Sequence, residues 1–483
     1  MFNLKNFNKI RKVHFKVLNQ KKLPPQIASN QYLFLTRFHP QLLNQYLARK
    51  DQSQIDKLKV FSPFFFSYLR SFFSRNQIVT KKNLEQKKII FISSIDQKIY
   101  LNKENQHIKE LIEIFKGDDY IELIKSHLSI NLEKNINFKN KYNQKRVFLK
   151  NNIGFLKEIK ILISLFITFK KQSNYFLKKK NLDSSVIKKI FSIKAFFSSI
   201  NNYRFYLQLK SIFKIIRPKV IFFPYEGLPW ERLIIRAAKQ NNINIKCIGY
   251  QKSVITRYSD IMKTNLENSL YNPDRIICRS KIDAKKLLDS GSLNKKQIII
   301  GGKYKRIKIK TKKFKNIKVI VLPEAWLSEE KKLLNFTLSC AKLYPNYTFI
   351  FRPHPTSVLN LKNLKFKEYK NLKISNNSFT NDINNSNIVF YRGSYSVIKA
   401  CKNGLFPVYI KFISDLDSNI DPLYEIEKKI FKLSDPKKFN KIVNYVQESK
   451  SLKNKLFLTN HSSKINLKLE KRYIKNYFID NLH

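Results

Sequence analysis

The chain has 483 residues, 43% of them hydrophobic, with 94 Lys or Arg against 34 Asp or Glu and a formal charge of +60. That length exceeds one ordinary core and calls for two or three domains, and the apolar share excludes a disordered chain. The charge draws the surface to anionic lipid, polyanionic glycan or nucleic acid; with no RNP-like, helix-turn-helix or Cys/His zinc pattern, an anionic membrane surface is the expected partner and a specific nucleic acid is not.

Up to about Asn201 the pattern is weak. Lys87 to Ile92 reads as a first strand, closed by a polar turn at Ser93 and Ser94, and Ile108 to Phe115 has helical spacing. Residues 145–215 alternate apolar positions with lysines, as basic amphipathic helices do. Within them Ile161 to Phe169 is too short to span a bilayer and predicts a core helix or one lying in the interface.

From Pro218 the chain is regular. Strands are expected at Pro218–Phe223, Ile243–Gly249, Arg275–Cys278 and Gln297–Ile300, with helices at Trp230–Gln240 and Lys281–Leu288, the latter ended by Gly291. Lys303 to Lys318 holds nine Lys or Arg and no acid, the pattern of a solvated link. A second unit follows: strands at Ile317–Leu322, Tyr347–Ile350, Asn387–Phe390 and Phe406–Ile410, a helix from Ser328 to Lys342 with Glu329 and Glu330 in its first turn, and helices after about Asp435. Strands alternating with helices predict an α/β fold of two doubly wound, parallel-sheet domains with a cleft between them and extra basic helices. The expected division is residues 1–302, a basic linker 303–316, a second domain 317–434 and C-terminal helices 435–483.

Three clusters fall where strands end, the edge at which open α/β sheets bind ligands. Arg352-Pro353-His354-Pro355 stiffens a strand end and offers a guanidinium and an imidazole, suited to a phosphorylated anion. Tyr225-Glu226-Gly227 lies in the turn between Pro224 and Pro229, where Glu226 is placed as a general base or as a helix cap; Glu231, a first-turn acid, is read as a cap. Arg392-Gly393-Ser394-Tyr395-Ser396 precedes a helix, so its amides and hydroxyls suit a phosphate or ordinary N-capping. Glu324, after another strand, is either a donor contact or a helix-start acid, and Asp421-Pro422-Leu423 is a turn.

Together the three clusters resemble GT-B glycosyltransferases, which have two Rossmann-like domains, and among them the bacterial surface-carbohydrate, capsule and lipopolysaccharide enzymes. Tyr225-Glu226-Gly227 is similar to the acidic-Gly motif of bacterial sialyltransferases, His354-Pro355 to their His-Pro motif, and Ser394 with Ser396 to their paired hydroxyls. The likeness covers roughly Pro218 to Leu423, and Phe38-His39-Pro40 is a His-Pro decoy. It implies an inverting, metal-independent enzyme with no cofactor. Glu226 would be its base, and His354 would stabilise a leaving nucleotide phosphate, a CMP-linked sugar being one candidate donor. Arg352, Arg392, Gly393, Ser394 and Ser396 would bind that phosphate, with donor or acceptor contacts from Tyr225, Gly227, Tyr250, Gln251, Lys252, Glu324 and Lys399. Two positions depart from the pattern: Lys252 stands where relatives tend to have His, and Lys399 where many have Glu. These lysines keep two other readings open, a polyol-phosphate transferase using a CDP-linked donor and a non-catalytic glycan- or membrane-binding protein.

Cys247, Cys278, Cys340 and Cys401 are widely spaced in apolar stretches, the pattern of buried thiols in a reducing cytoplasm rather than a disulfide framework. Met1-Phe2-Asn3-Leu4-Lys5 lacks a continuous apolar run, so no secretory signal is expected. The implied place is the cytoplasm, peripheral at the inner face of the plasma membrane.

Overall fold

The computed structural model describes residues 4–33, 88–95, 108–126, 146–149, 153–251, 253, 255–257, 259–289, 291–304, 316–324, 327–355, 357, 359, 369–412, 421–449, 451–465 and 467–479. Lys252, most of the basic linker (305–315) and the decoy at Phe38 to Pro40 lie outside them.

Two wholly parallel sheets carry the fold. The first has seven strands in the order β3-β2-β1-β4-β5-β6-β7: β1 (Ile89–Ile95), β2 (Tyr120–Ser126), β3 (Arg146–Leu149), β4 (Val220–Pro224), β5 (Lys246–Tyr250), β6 (Arg275–Cys278) and β7 (Ile298–Ile300). The second has six in the order β10-β9-β8-β11-β12-β13: β8 (Lys318–Leu322), β9 (Thr348–Phe351), β10 (Leu372–Ile374), β11 (Ile388–Tyr391), β12 (Phe406–Ile410) and β13 (Phe431–Leu433). Each order reverses once, between β1 and β4 and between β8 and β11, which is the Rossmann-like, doubly wound pattern. Helices cover both faces, so central strands such as β4, β11 and β12 are buried throughout and read as unbroken apolar runs.

The first half departs from the sequence expectations at β1 and β2, where buried polar side chains find partners. β1 continues through Ser93 and Ser94 instead of turning there, because the Ser93 hydroxyl donates to Glu122 on the neighbouring β2 (2.8 Å). Glu122 and Lys125 interrupt β2's apolar pattern, yet both are buried. Residues 145–215 are not all helical either. β3 opens them, followed by helices at Phe155–Leu177, Ser184–Ile190 and Ile193–Ile216. The first of these buries Ile161, Leu165 and Phe169 but exposes its opposite side.

The C-terminal helices divide between the domains. Ser451–Ser463 packs on the Ser396–Lys402 helix of the second. Lys471–Ile479 returns to the first, where Phe478 meets Phe222 edge-on at 5.1 Å and Leu469 and Ile474 join the same core. Gly302 bridges to Leu469 on the way, and a Cβ there would lie 1.8 Å from the Arg279 carbonyl oxygen, so only glycine fits. All four cysteines are buried free thiols, and burial pushes Cys340 and Cys401 up to about 12. Among the described residues no helix is long and apolar enough to cross a membrane.

Candidate active site

The reversal of strand order opens a crevice at the carboxyl edge of each sheet, and sequence-predicted residues occupy both. In the first domain β4 delivers the Tyr225-Glu226-Gly227 turn. Gly227 has φ +76°, and a Cβ there would fall 2.9 Å from the Ile261 backbone, so conformation and space both require glycine. Glu231 holds the turn: it is fully buried, and its Oε2 accepts from the amides of Glu226 (2.7 Å) and Leu228 (2.9 Å). The next residue, Arg232, is equally buried and donates to the carbonyls of Tyr271 (3.1 Å), Ile261 (2.8 Å) and Thr264 (2.7 Å). Glu231 therefore does the capping, and half-buried Glu226 gives its amide to that cap. Tyr225 is buried, its ring 5.4 Å from the Arg232 guanidinium, so it supports the turn from within.

Lys125, at the end of β2, packs beside this turn and had no signal in the sequence. Its Nζ donates to Asn202 (2.9 Å) and lies 5.6 Å from the Trp230 ring. Burial pulls its ammonium down to about 7, against the raising effect of Glu231's charge.

At the end of β5 the Tyr250 hydroxyl donates to Glu110 (3.2 Å), which also receives the Leu469 amide (2.7 Å) and pairs with Arg279 (3.3 Å). Gln251 is buried beside it, its amide on the Ile277 carbonyl (3.0 Å) and its Nε2 on the Ser253 carbonyl.

In the second domain β8 and β11 flank the reversal and bring Glu324 and Gly393 together: a Cβ on Gly393 would sit 2.2 Å from Glu324 Oε1. Glu324 thus lies against the glycine backbone rather than starting the helix, which begins at Leu327. The Ser396–Lys402 helix has Tyr395 as its N-cap, with no side-chain capping bond from that residue. Ser396 is exposed and Ser394 nearly buried.

The basic residues of this edge differ in how far the fold engages them. Arg392, expected on a phosphate, is 2% exposed; its Nε pairs with Glu329 at 2.5 Å, its Nη1 donates to the Ile410 carbonyl (2.6 Å), and the Phe412 ring lies 4.6 Å away. It is an interior strut. Arg352 is also engaged, its Nη1 bonded to Asp382 (2.7 Å) and the Asn377 carbonyl (2.7 Å), though a quarter of its side chain stays exposed. Lys399 is exposed on the same edge and, like Arg352, approaches the Phe379 ring (5.2 and 5.5 Å). The His354 amide donates to Glu330 Oε1 (3.2 Å), and Glu330 Oε2 accepts from Ser357 (2.6 Å). Glu329 and Glu330, read from sequence as helix-dipole acids, are buried partners of the strand ends.

The two domains touch. In the turn of the second, burial raises the Tyr395 phenol, the charge of Asp283 adding to it. Beside this junction Lys286 donates to the Pro422 carbonyl (2.8 Å) and pairs with Glu425 (2.8 Å), and Arg257 pairs with Glu427 (2.6 Å). A surface depression of about 560 Å³ lined by Lys428, Lys429, Phe431, Tyr445, Lys453 and Phe457 lies elsewhere, on the β13 side, and holds none of the predicted residues.

No family model matches the chain, and no curated protein does. Solved structures similar to it include a glycotransferase of kitacinnamycin (10% identity, 82% of this chain and 99% of that one, TM-score 0.46). Others are the UDP-GlcNAc 2-epimerase of Methanocaldococcus jannaschii (13%, 81% and 99%, TM-score 0.46) and the MurG of Acinetobacter baumannii (7%, 81% and 99%, TM-score 0.44). At these scores the similarity carries no functional argument, and the strand order and the site geometry must carry it alone.

Proposed function

We propose that the chain is a glycosyltransferase that uses a nucleotide-sugar donor, with the donor held by the second domain and the acceptor by the first. The observation that supports this is that each sheet's strand order reverses once, and the carboxyl edge beside one reversal carries Glu226 while that beside the other carries Glu324, Gly393, Ser394 and Ser396. A carboxylate on a stiff turn suits proton abstraction, and a glycine-hydroxyl turn suits a phosphate.

In the proposed step Glu226 takes the proton of an acceptor hydroxyl, whose oxygen attacks the anomeric carbon. The bond from that carbon to the nucleotide phosphate breaks, its electron pair leaves on the phosphate, and the configuration inverts. His354, Ser394 and Ser396 stabilise the departing phosphate, where charge grows as the bond breaks. Arg352 and Lys399 contribute positive potential at the same edge, and Arg392 acts only through the fold. A CMP-linked donor and a surface-polysaccharide or lipid-linked acceptor at an anionic membrane are the finer form of the proposal, supported by the quoted motifs and the net charge.

The test is transfer with Glu226→Gln. Turnover is expected to fall about 100- to 10,000-fold, the range of a lost general base, with nucleotide affinity within about twofold, since catalysis and binding are separable terms. Equal loss of both would make Glu226 structural and defeat the proposal.

A further inference from the structure

We infer that the exposed side of the Phe155–Leu177 helix is a membrane-docking face that inserts into an anionic lipid bilayer. Leu156 is 73% exposed, Phe166 61%, Ile167 59% and Ile163 54%. At about 100° per residue these side chains fall within roughly a third of the helix circumference, opposite Ile161, Leu165 and Phe169, which are buried. Exposed large apolar side chains grouped on one helix mark an interaction surface, whereas scattered ones need no explanation.

The outward direction of this stripe is fixed from behind. Glu158, on the same helix, is fully buried and takes a two-point ion pair from Arg204 (2.5 and 2.8 Å) on the Ile193–Ile216 helix. Gln26 holds Ser164 from the same side at 2.8 Å. A bidentate pair sets the roll of a helix as well as its position, so the stripe cannot turn inward without breaking a buried charge pair.

Charge complementarity chooses the occupant. Lys157, Lys160, Lys171 and Lys178, all exposed, border the stripe, and Lys170 lies within it, while the helix's one acid is Glu158. An apolar stripe edged by lysine is the pattern of a helix lying in the plane of the interface, its apolar side about 5–10 Å deep and its lysines at the headgroups. A second copy of the chain would bring those lysines, and a further +60, against each other. The helix rests on Ile193–Ile216, which rests on Pro229–Asn241, the helix that begins at the Glu226 turn. Docking this face therefore sets the acceptor-side domain on the bilayer.

This deepens the membrane element of the proposed function and does not depend on the transfer chemistry, so its test uses no substrate. The full chain is floated with phosphatidylcholine vesicles with or without phosphatidylglycerol. Binding is expected to the anionic vesicles, and Leu156→Ser/Phe166→Ser/Ile167→Ser is expected to lower partitioning by about tenfold or more at unchanged thermal stability. Lys160→Gln and Lys171→Gln are each expected to lower it by about fivefold. In a separate variant, Phe166→Trp, brominated lipid is expected to quench the indole. Unchanged flotation of the triple-serine variant, or flotation of Phe166→Trp without quenching, would overturn the inference, as would a stripe-dependent dimer that does not float. A protein that docks but transfers no sugar would defeat the transferase proposal alone.

Discussion

At the edge of the first sheet a carboxylate, Glu231, holds backbone amides, and a guanidinium, Arg232, holds backbone carbonyls. At the edge of the second, cation and acid meet directly, as Arg392 with Glu329 and Arg352 with Asp382. The first arrangement shapes a turn through its main chain; the second ties strand ends to neighbouring helices. In both, the conspicuous charged residues go to architecture. The other residues at the two edges are less conspicuous: one half-buried acid on the first, a histidine, two hydroxyls and a glycine-backed carboxylate on the second.

The largest effect should come from breaking the second arrangement. Arg392→Met leaves buried Glu329 with only the exposed Lys332 (3.3 Å) as an ion-pair partner, and removing one member of a buried pair costs about 3–5 kcal/mol. Replacing both with Arg392→Met/Glu329→Leu should recover much of that loss in denaturant unfolding. A loss under about 1 kcal/mol for the single variant would mean that Arg392 is not a strut.

The two acids of the first edge should separate cleanly. Glu231→Gln is expected to lower unfolding free energy by about 1–3 kcal/mol, since the amide is a weaker acceptor for the two buried N–H groups. Glu226→Gln is expected to leave stability within about 0.5 kcal/mol, since it keeps the main-chain amide that Glu231 holds, and to act on turnover. The reverse assignment of stability and turnover would erase the contrast.

A smaller effect sits where the domains touch. Asp421 is buried, accepts from the Leu423 amide (2.8 Å) and Tyr391 hydroxyl (3.1 Å), and is pushed up from 3.8 to about 7, burial being the main cause. Between those values the folded carboxyl keeps a proton that the unfolded chain has lost, so its contribution to stability falls as pH rises through that window. Asp421→Asn should flatten the decline and gain on the order of 1 kcal/mol at pH 8, the burial cost being offset in part by the Leu423 and Tyr391 hydrogen bonds and the charge of Lys286. Parallel stability curves for wild type and variant from pH 4 to pH 8 would contradict it.

The parallel strands at Phe222, Cys278, Val321 and Phe390 were legible because two-sided burial makes them unbroken apolar runs. β2 was not, because Glu122 and Lys125 break its pattern and only the fold supplies Ser93 and Asn202 as partners. The Glu226 and Ser394–Ser396 turns were legible from glycine and proline beside strands. The fate of the arginines was not: Asp382 lies thirty positions from Arg352 and Glu329 sixty-three from Arg392, separations at which local sequence carries no pairing signal. Basic letters at a strand end look alike whether they face a ligand or an acid behind them.

Calorimetric titration with CMP-, CDP- and UDP-sugars, on wild type and on Ser394→Ala/Ser396→Ala, tests the central claim most directly. The proposed site predicts that one nucleotide class binds wild type at a single site in the range of about 1 μM to 1 mM, as enzyme substrates do. The double variant should bind it about tenfold to a hundredfold more weakly, since each hydrogen bond to a charged phosphate is worth about 1.5 kcal/mol or more. No binding of any nucleotide, or binding that the double variant leaves unchanged, would contradict a donor site at the second sheet's edge.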